Sequence, residues 1–220
     1  MKTHRAVLSV CILLCLPLAV VLPATAQQIL YEDGPINGET DAWTINFGLI
    51  VSNTFTISDG TSTITGMSFG AWLFPGDVVE SVEVSMTSME FGGTSYFDQV
   101  VPLTASNCFL NNFGLDVCDE TSSFEGPTLN NGTYWMNLEN AVVTNGDPAY
   151  WDENSGAGCH SQGCPSQPSE NSLGTIPPES FTILGTQQTA TTSTTPEPTA
   201  LILFGSGVAG MIGILRRKLP

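Results

Sequence analysis

Trp43-Thr44-Ile45-Asn46-Phe47-Gly48-Leu49-Ile50-Val51 sets the fold class, because its apolar residues Trp43, Ile45, Phe47, Leu49 and Val51 occupy every second position. A strand sends successive side chains to opposite faces, so a period of two marks a strand with one buried face. Helical spacing is absent from the segment. The same alternation recurs in Phe55 and Ile57, in Met67, Phe69, Ala71 and Leu73, in Val82, Val84 and Met86, in Tyr134, Met136 and Leu138, and in Phe181 and Ile183. Turn formers separate these runs: Asp59-Gly60, Pro75-Gly76-Asp77, Gly92-Gly93, Asn131-Gly132 and Asn145-Gly146-Asp147-Pro148. Short strands punctuated in this way predict an all-β domain over residues 27–184, an antiparallel β-sandwich of jelly-roll type, with a barrel as the second choice. No repeat of fixed period is evident, which argues against a propeller or solenoid.

The two ends of the chain are of a different kind. Lys2 and Arg5 precede a greasy run from Ala6 to Leu22, and Ala24-Thr25-Ala26 supplies the small residues a signal peptidase needs. Residues 1–26 therefore read as a signal peptide cleaved between Ala26 and Gln27. Residues 185–198 have low complexity and no apolar pattern, and they read as a Thr/Ser-rich linker with hydroxyls open to glycosylation. After Pro196-Glu197-Pro198 comes an apolar run from Thr199 to Leu215, closed by Arg216-Arg217-Lys218. A helix of that run is roughly 25 Å long, near the short limit for a bilayer core, and the basic cluster holds its end on the cytoplasmic side. Residues 199–218 are expected to form a single transmembrane helix with a basic tail.

This tail resembles the PEP-CTERM sorting signal: a Pro-Glu-Pro motif, one transmembrane helix and a short basic cluster, in that order. The resemblance implies an exosortase-type membrane transpeptidase as processing enzyme, cutting close to Pro196-Glu197-Pro198. It also implies a Gram-negative host that makes extracellular polysaccharide. The protein would then be anchored transiently in the inner membrane before reaching the cell surface or the medium. Stretches such as Gly70-Ala71-Trp72-Leu73-Phe74-Pro75-Gly76-Asp77 are similar to the β-rich domains that accompany this signal, a resemblance that brings no catalytic residues with it.

Charge narrows the partners. All five Lys and Arg lie in the targeting segments, and all 21 Asp and Glu lie between Glu32 and Glu197. An exported body without lysine or arginine repels phosphate backbones, so nucleic acid is excluded as a partner. Gly205-Ser206-Gly207-Val208-Ala209-Gly210 spells a dinucleotide-binding fingerprint, but it lies inside the apolar tail, where small residues serve helix packing.

Within the body, Cys108, Cys118, Cys159 and Cys164 sit at short local spacings. An oxidising compartment favours two disulfides, Cys108 to Cys118 and Cys159 to Cys164, over a metal site built on Cys159-His160 and Cys164. His160 is the body's single histidine, so no catalytic triad is assembled in the sequence. Tyr150, Trp151 and Asp152 are the candidate glycan contacts, since aromatic rings stack on sugar faces. Asp152 and Glu153 are the acids a glycosidase would use, although neighbours on a strand face opposite ways. Asp33, Asp41 and Glu153 are candidate calcium ligands, in competition with a purely turn-forming role for such acids. Trp43 is expected in the core, while Trp72 and Trp135 oppose the apolar parity of their strands and face either solvent or a second buried layer. The composite expectation is a non-enzymatic exported protein acting in adhesion, matrix or biofilm assembly or glycan binding, with a secreted polysaccharide-active enzyme as the alternative. Its expected partners are signal peptidase, the processing exosortase, the membrane and an extracellular polysaccharide. No cofactor is expected beyond calcium.

Overall fold

A computed structural model describes residues 27–188 apart from Asp59. The signal segment, including Ala24 and Ala26, and the sorting tail, including Pro196, Glu197, Pro198, Arg216, Arg217 and Lys218, lie outside the described residues.

Fourteen strands and no helix make up the described residues. In chain order they are β1 (Gln28–Glu32), β2 (Asp41–Thr44), β3 (Val51–Ile57), β4 (Thr61–Leu73), β5 (Val79–Met89), β6 (Gly92–Pro102) and β7 (Thr104–Leu110). Then follow β8 (Asp116–Ser123), β9 (Thr128–Leu129), β10 (Gly132–Val143), β11 (Tyr150–Glu153), β12 (Ser169–Glu170), β13 (Gly174–Thr175) and β14 (Phe181–Gln188). They form an eight-stranded and a six-stranded sheet, with every pairing antiparallel. The smaller sheet runs β13-β12-β3-β10-β5-β6. In the larger one the long strand β4 is the spine. One of its edges holds β14, backed by β1, and then β11, backed by β2; its other edge holds β9 and β8, backed by β7.

The runs read as strands behave as their period demands. Met67, Phe69, Ala71 and Leu73 of β4, Val82, Val84 and Met86 of β5, and Met136 and Leu138 of β10 are fully buried between the sheets. An aromatic chain crosses this core: Phe69 and Phe181 flank Trp151 at ring-centroid distances of 5.9 and 5.7 Å, and Phe181 meets Tyr31 at 5.4 Å. Rings of this size supply much of the buried apolar area.

The opening segment departs from its reading. β2 stops at Thr44 and β3 starts at Val51, and between them Phe47 takes φ 58° and Gly48 φ 84°. Leu49 N–H donates to the Asn46 carbonyl, closing a turn, and Phe47 is 67% exposed. Asn46 causes the break: its amide donates to the Asp147 carbonyl and its oxygen accepts from Ala149 N–H, contacts about a hundred residues away that continuous strand pairing would forfeit. Ile45, just past the end of β2, and Val51, the first residue of β3, are both core residues. The domain also runs past its expected end at residue 184. Gly185, Thr186, Gln187 and Gln188, read as linker, are ladder residues of β14 opposite Ile64, Thr63, Ser62 and Thr61.

The larger sheet is covered on its outer face too. The segment from Gly34 to Gly38 crosses β4 at Gly70, where a Cβ would come within 2.7 Å of the Asp152 Cβ and 2.8 Å of Ile36 Cγ2. Trp72, on the same face as Gly70, is buried and stacks on Phe113 of the β7–β8 turn at 5.4 Å. Trp72 therefore occupies the second buried layer, while Trp135 is half-buried.

Candidate functional site

Two of the three residues singled out as glycan contacts, Trp151 and Asp152, are buried in the fold. β11 is wedged between β4 and β2, so Trp151 pairs with Ala71 and Trp43 and is 0% exposed. Its indole N–H donates to the Ser180 carbonyl at 2.8 Å, and its ring cannot reach a ligand. Asp152 points to the opposite face and is equally buried. Its Oδ1 accepts from Gly38 N–H at 2.9 Å and Trp72 Nε1–H at 2.6 Å; its Oδ2 accepts from Asn37 N–H and the Ser180 hydroxyl, both at 3.0 Å. Four donors from three separate chain segments make this carboxylate a staple for the covering loop. Tyr150 remains half-buried at the strand's start.

The candidate calcium ligands do not form one shell. Asp41 is exposed at the edge of β2 and accepts the N–H of Ala42. Glu153, its cross-strand partner, is buried and holds Trp43 Nε1–H at 3.1 Å and the Ser155 hydroxyl at 2.9 Å. Asp33, also buried, accepts Ser166 N–H at 3.2 Å and the Tyr31 hydroxyl at 3.4 Å through Oδ1. Among the described residues, the His, Cys, Asp and Glu trio whose ligand atoms lie within 4.8 Å of one another is Asp33, Cys159 and Cys164. Those sulfurs are joined to each other, so they bring no thiolate to a metal. Trp43, expected in the core, is half-buried against it.

Both disulfides pair as the spacing suggested. Cys108 is bonded to Cys118, tying β7 to β8, and Cys159 to Cys164, closing a loop over Asp33 and Glu32. His160 lies exposed on that loop.

Two buried acids escaped the sequence reading. Glu179, opposite Glu153, is completely buried, and neither carboxyl oxygen has a well-aligned partner, although the Asn53 side chain lies beside it. Burial pushes its pKa well above the ordinary carboxylate range, and the charges of Glu153 and Asp33 push the same way. Glu120 pairs with Phe69 and shares its inward face, so it too is completely buried with both oxygens unpartnered. Burial, aided by the charge of Asp119, raises its pKa to about 7. An acidic strand such as Asp116-Val117-Cys118-Asp119-Glu120 gives no apolar alternation by which such positions could have been found.

The open site is elsewhere, on the outer face of the larger sheet. A cleft of about 320 Å³ lies between the segment Gly34-Pro35-Ile36 and the strand β7. Its floor comprises Ser68 and Thr182, outward neighbours on β4 and β14; its walls include Glu32, Asn107, Phe109 and Asp119. The Phe109 ring is 44% exposed. The Asn107 side chain lies beside Asp119, whose buried Oδ1 has no protein partner. Burial raises the Asp119 pKa, and the Asn107 contact moderates that rise. Asn107 stands at φ 53° in a β-bulge between Ser106 and Phe109, next to the bonded Cys108. Bulges and left-handed residues of this kind re-aim side chains at sites.

A family model described as the PEP-CTERM protein-sorting motif matches residues 194–218. No curated protein matches the chain.

Proposed function

We infer, from a chain that carries the PEP-CTERM sorting motif and is thereby exported and sorted to the cell envelope by an exosortase, that its β domain works there as a non-enzymatic binding or matrix protein. The single observation that carries this reading is the motif at 194–218. On this reading the host is Gram-negative, the tail holds the protein in the inner membrane until processing, and the product acts in adhesion, matrix or biofilm assembly or glycan binding. The strand crossings between sheets, β3 to β4 and β4 to β5, support a jelly-roll-like description of the sandwich.

Three features support the binding role. Two short-range disulfides suit an extracellular domain. β1 and β14 pair side by side, so the described chain enters and leaves at one edge, and the face around Thr182 lies about 20 Å up the strand from Gln188. A polar cleft with an aromatic wall occurs on that face. A polysaccharide-active enzyme using Asp152 and Glu153 has weaker support, because both oxygens of each are engaged by protein donors.

Fractionation of cells expressing the full chain tests the reading. Deleting residues 194–218, or the exosortase gene, should abolish processing and delivery to the envelope surface. Purified protein should retain the host's extracellular polysaccharide without releasing reducing sugar from it. Normal surface delivery without the tail, or sugar release that Asp152→Asn eliminates in a folded protein, would refute it.

A further inference from the structure

We propose that the cleft between Gly34-Pro35-Ile36 and β7 binds one or two neutral sugar units, with the Asp119 carboxylate accepting ligand hydroxyl hydrogens and the Phe109 ring lying against a sugar C–H face. The proposal rests on the surface-binding reading above and names its ligand class and its residues.

Size comes first. At about 320 Å³ the cleft is at the lower end of the roughly 300–1,000 Å³ usual for small-ligand sites, which suits a short oligosaccharide segment. Polarity comes second. Asp119 is half-buried in the cleft wall with no protein donor on its Oδ1, and Ser68 and Thr182 contribute the floor. A ligand rich in hydroxyls can donate to the part of that carboxylate open to the cleft and accept from the Ser68 and Thr182 hydroxyls, whereas an apolar ligand would offer none of them a partner. The exposed Phe109 face supplies the complementary apolar surface.

Charge selects among the polyols. The body between Gln27 and residue 184 contains no lysine or arginine, and Glu32 and Asp119 both line the cleft. A uronic acid, a sulfated sugar or a phosphate would bring a like charge to a site without a cation, so the sugar is neutral. Pre-organisation completes the case. Asn107 is held at φ 53° beside the Cys108–Cys118 bond, so the residue beside Asp119 stands on backbone tied to its neighbouring strand.

The test is isothermal titration calorimetry on the full chain in a detergent without a sugar headgroup. The probes are maltotriose, cellotriose, mannotriose, galactotriose and glucuronate. At least one neutral trisaccharide should bind, glucuronate should bind at least tenfold more weakly, and chelator should change neither. Asp119→Asn, which keeps the side chain's shape, and Phe109→Leu, which keeps an apolar side chain but removes the ring face, should each weaken binding about tenfold, equivalent to about 1.4 kcal/mol, with thermal stability retained. Failure of all four trisaccharides to bind, equal or tighter binding of glucuronate, or loss of binding on chelation overturns the proposal. So does sugar binding indifferent to both variants, which would place the glycan elsewhere and leave the surface-binding reading standing. Failure of the host polysaccharide to bind correctly delivered protein would defeat that reading as well.

Discussion

Replacing Asp152 by Asn removes one charge and one acceptor from the staple that holds the Gly34–Gly38 segment against β4. If the amide keeps its oxygen toward Gly38 N–H and Trp72 Nε1–H, its NH2 faces Asn37 N–H and the Ser180 hydroxyl. Ser180 can reverse and accept, but Asn37 N–H is left as a donor facing a donor, at a cost of about 1–3 kcal/mol. The two surviving bonds lose their charge assistance, worth about 1 kcal/mol each, and relief of a buried charge returns part of this. The net destabilisation is about 3 kcal/mol. For a domain of this size each kcal/mol moves the melting temperature by about 2–4 °C, so Asp152→Asn should melt about 6–12 °C below wild type. Glu153→Gln is the control. Its two donors sit one on each oxygen, and the Ser155 hydroxyl can turn to accept from an amide, so the loss should stay below about 1.5 kcal/mol. Near-UV circular dichroism on the oxidised full chain measures both. An Asp152→Asn protein melting within about 2 °C of wild type, or one matching Glu153→Gln, would refute the staple.

Glu120 predicts a pH effect of definite sign. Between its ordinary value of 4.5 and about 7 the unfolded chain releases the Glu120 proton while the folded one keeps it, so stability falls as pH rises through that window. Glu120→Gln should flatten the slope relative to wild type in urea titrations, and an unchanged slope would show the carboxyl to be hydrated. Gly70→Ala should drive the covering segment off β4, since its Cβ meets Asp152, Ile36 and Ser180; we expect a loss of about 1–3 kcal/mol and faster proteolysis between residues 34 and 40. Replacing the Cys108–Cys118 pair by Ser should cost about 3 kcal/mol and the Cys159–Cys164 pair about 2, following loop separations of 10 and 5 residues, as urea midpoints will report.

How much of this could be read in advance depended on which face a residue serves. Met67, Phe69, Ala71 and Leu73 announce their strand because the inner face is continuous and apolar, and the same holds for Val82, Val84 and Met86. Trp151 and Asp152 were misplaced because β11 is only four residues long, too short to show a period, and is buried on both sides. Phe47 was misplaced for the opposite reason: it continues an alternation that Asn46 interrupts through partners near residue 147. The cleft around Asp119 was invisible because its walls come from β1, the following loop, β4, β7, β8 and β14, with no local signature in any of them.

Export, the strand-rich class and the two local disulfides follow from short-range patterns: apolar runs and period, cysteine spacing and the Pro-Glu-Pro, apolar and basic order of the tail. Such properties depend on neighbours along the chain or on composition, so the linear order carries them. Which acids became staples, which became unpartnered core groups and which faces an open cleft were settled by contacts such as Asn37 with Asp152, 115 positions apart. A carboxylate's role depends on the donors and the water around it, and for residues so far apart those are arranged when the sheets close on each other and the loop closes over the outer face.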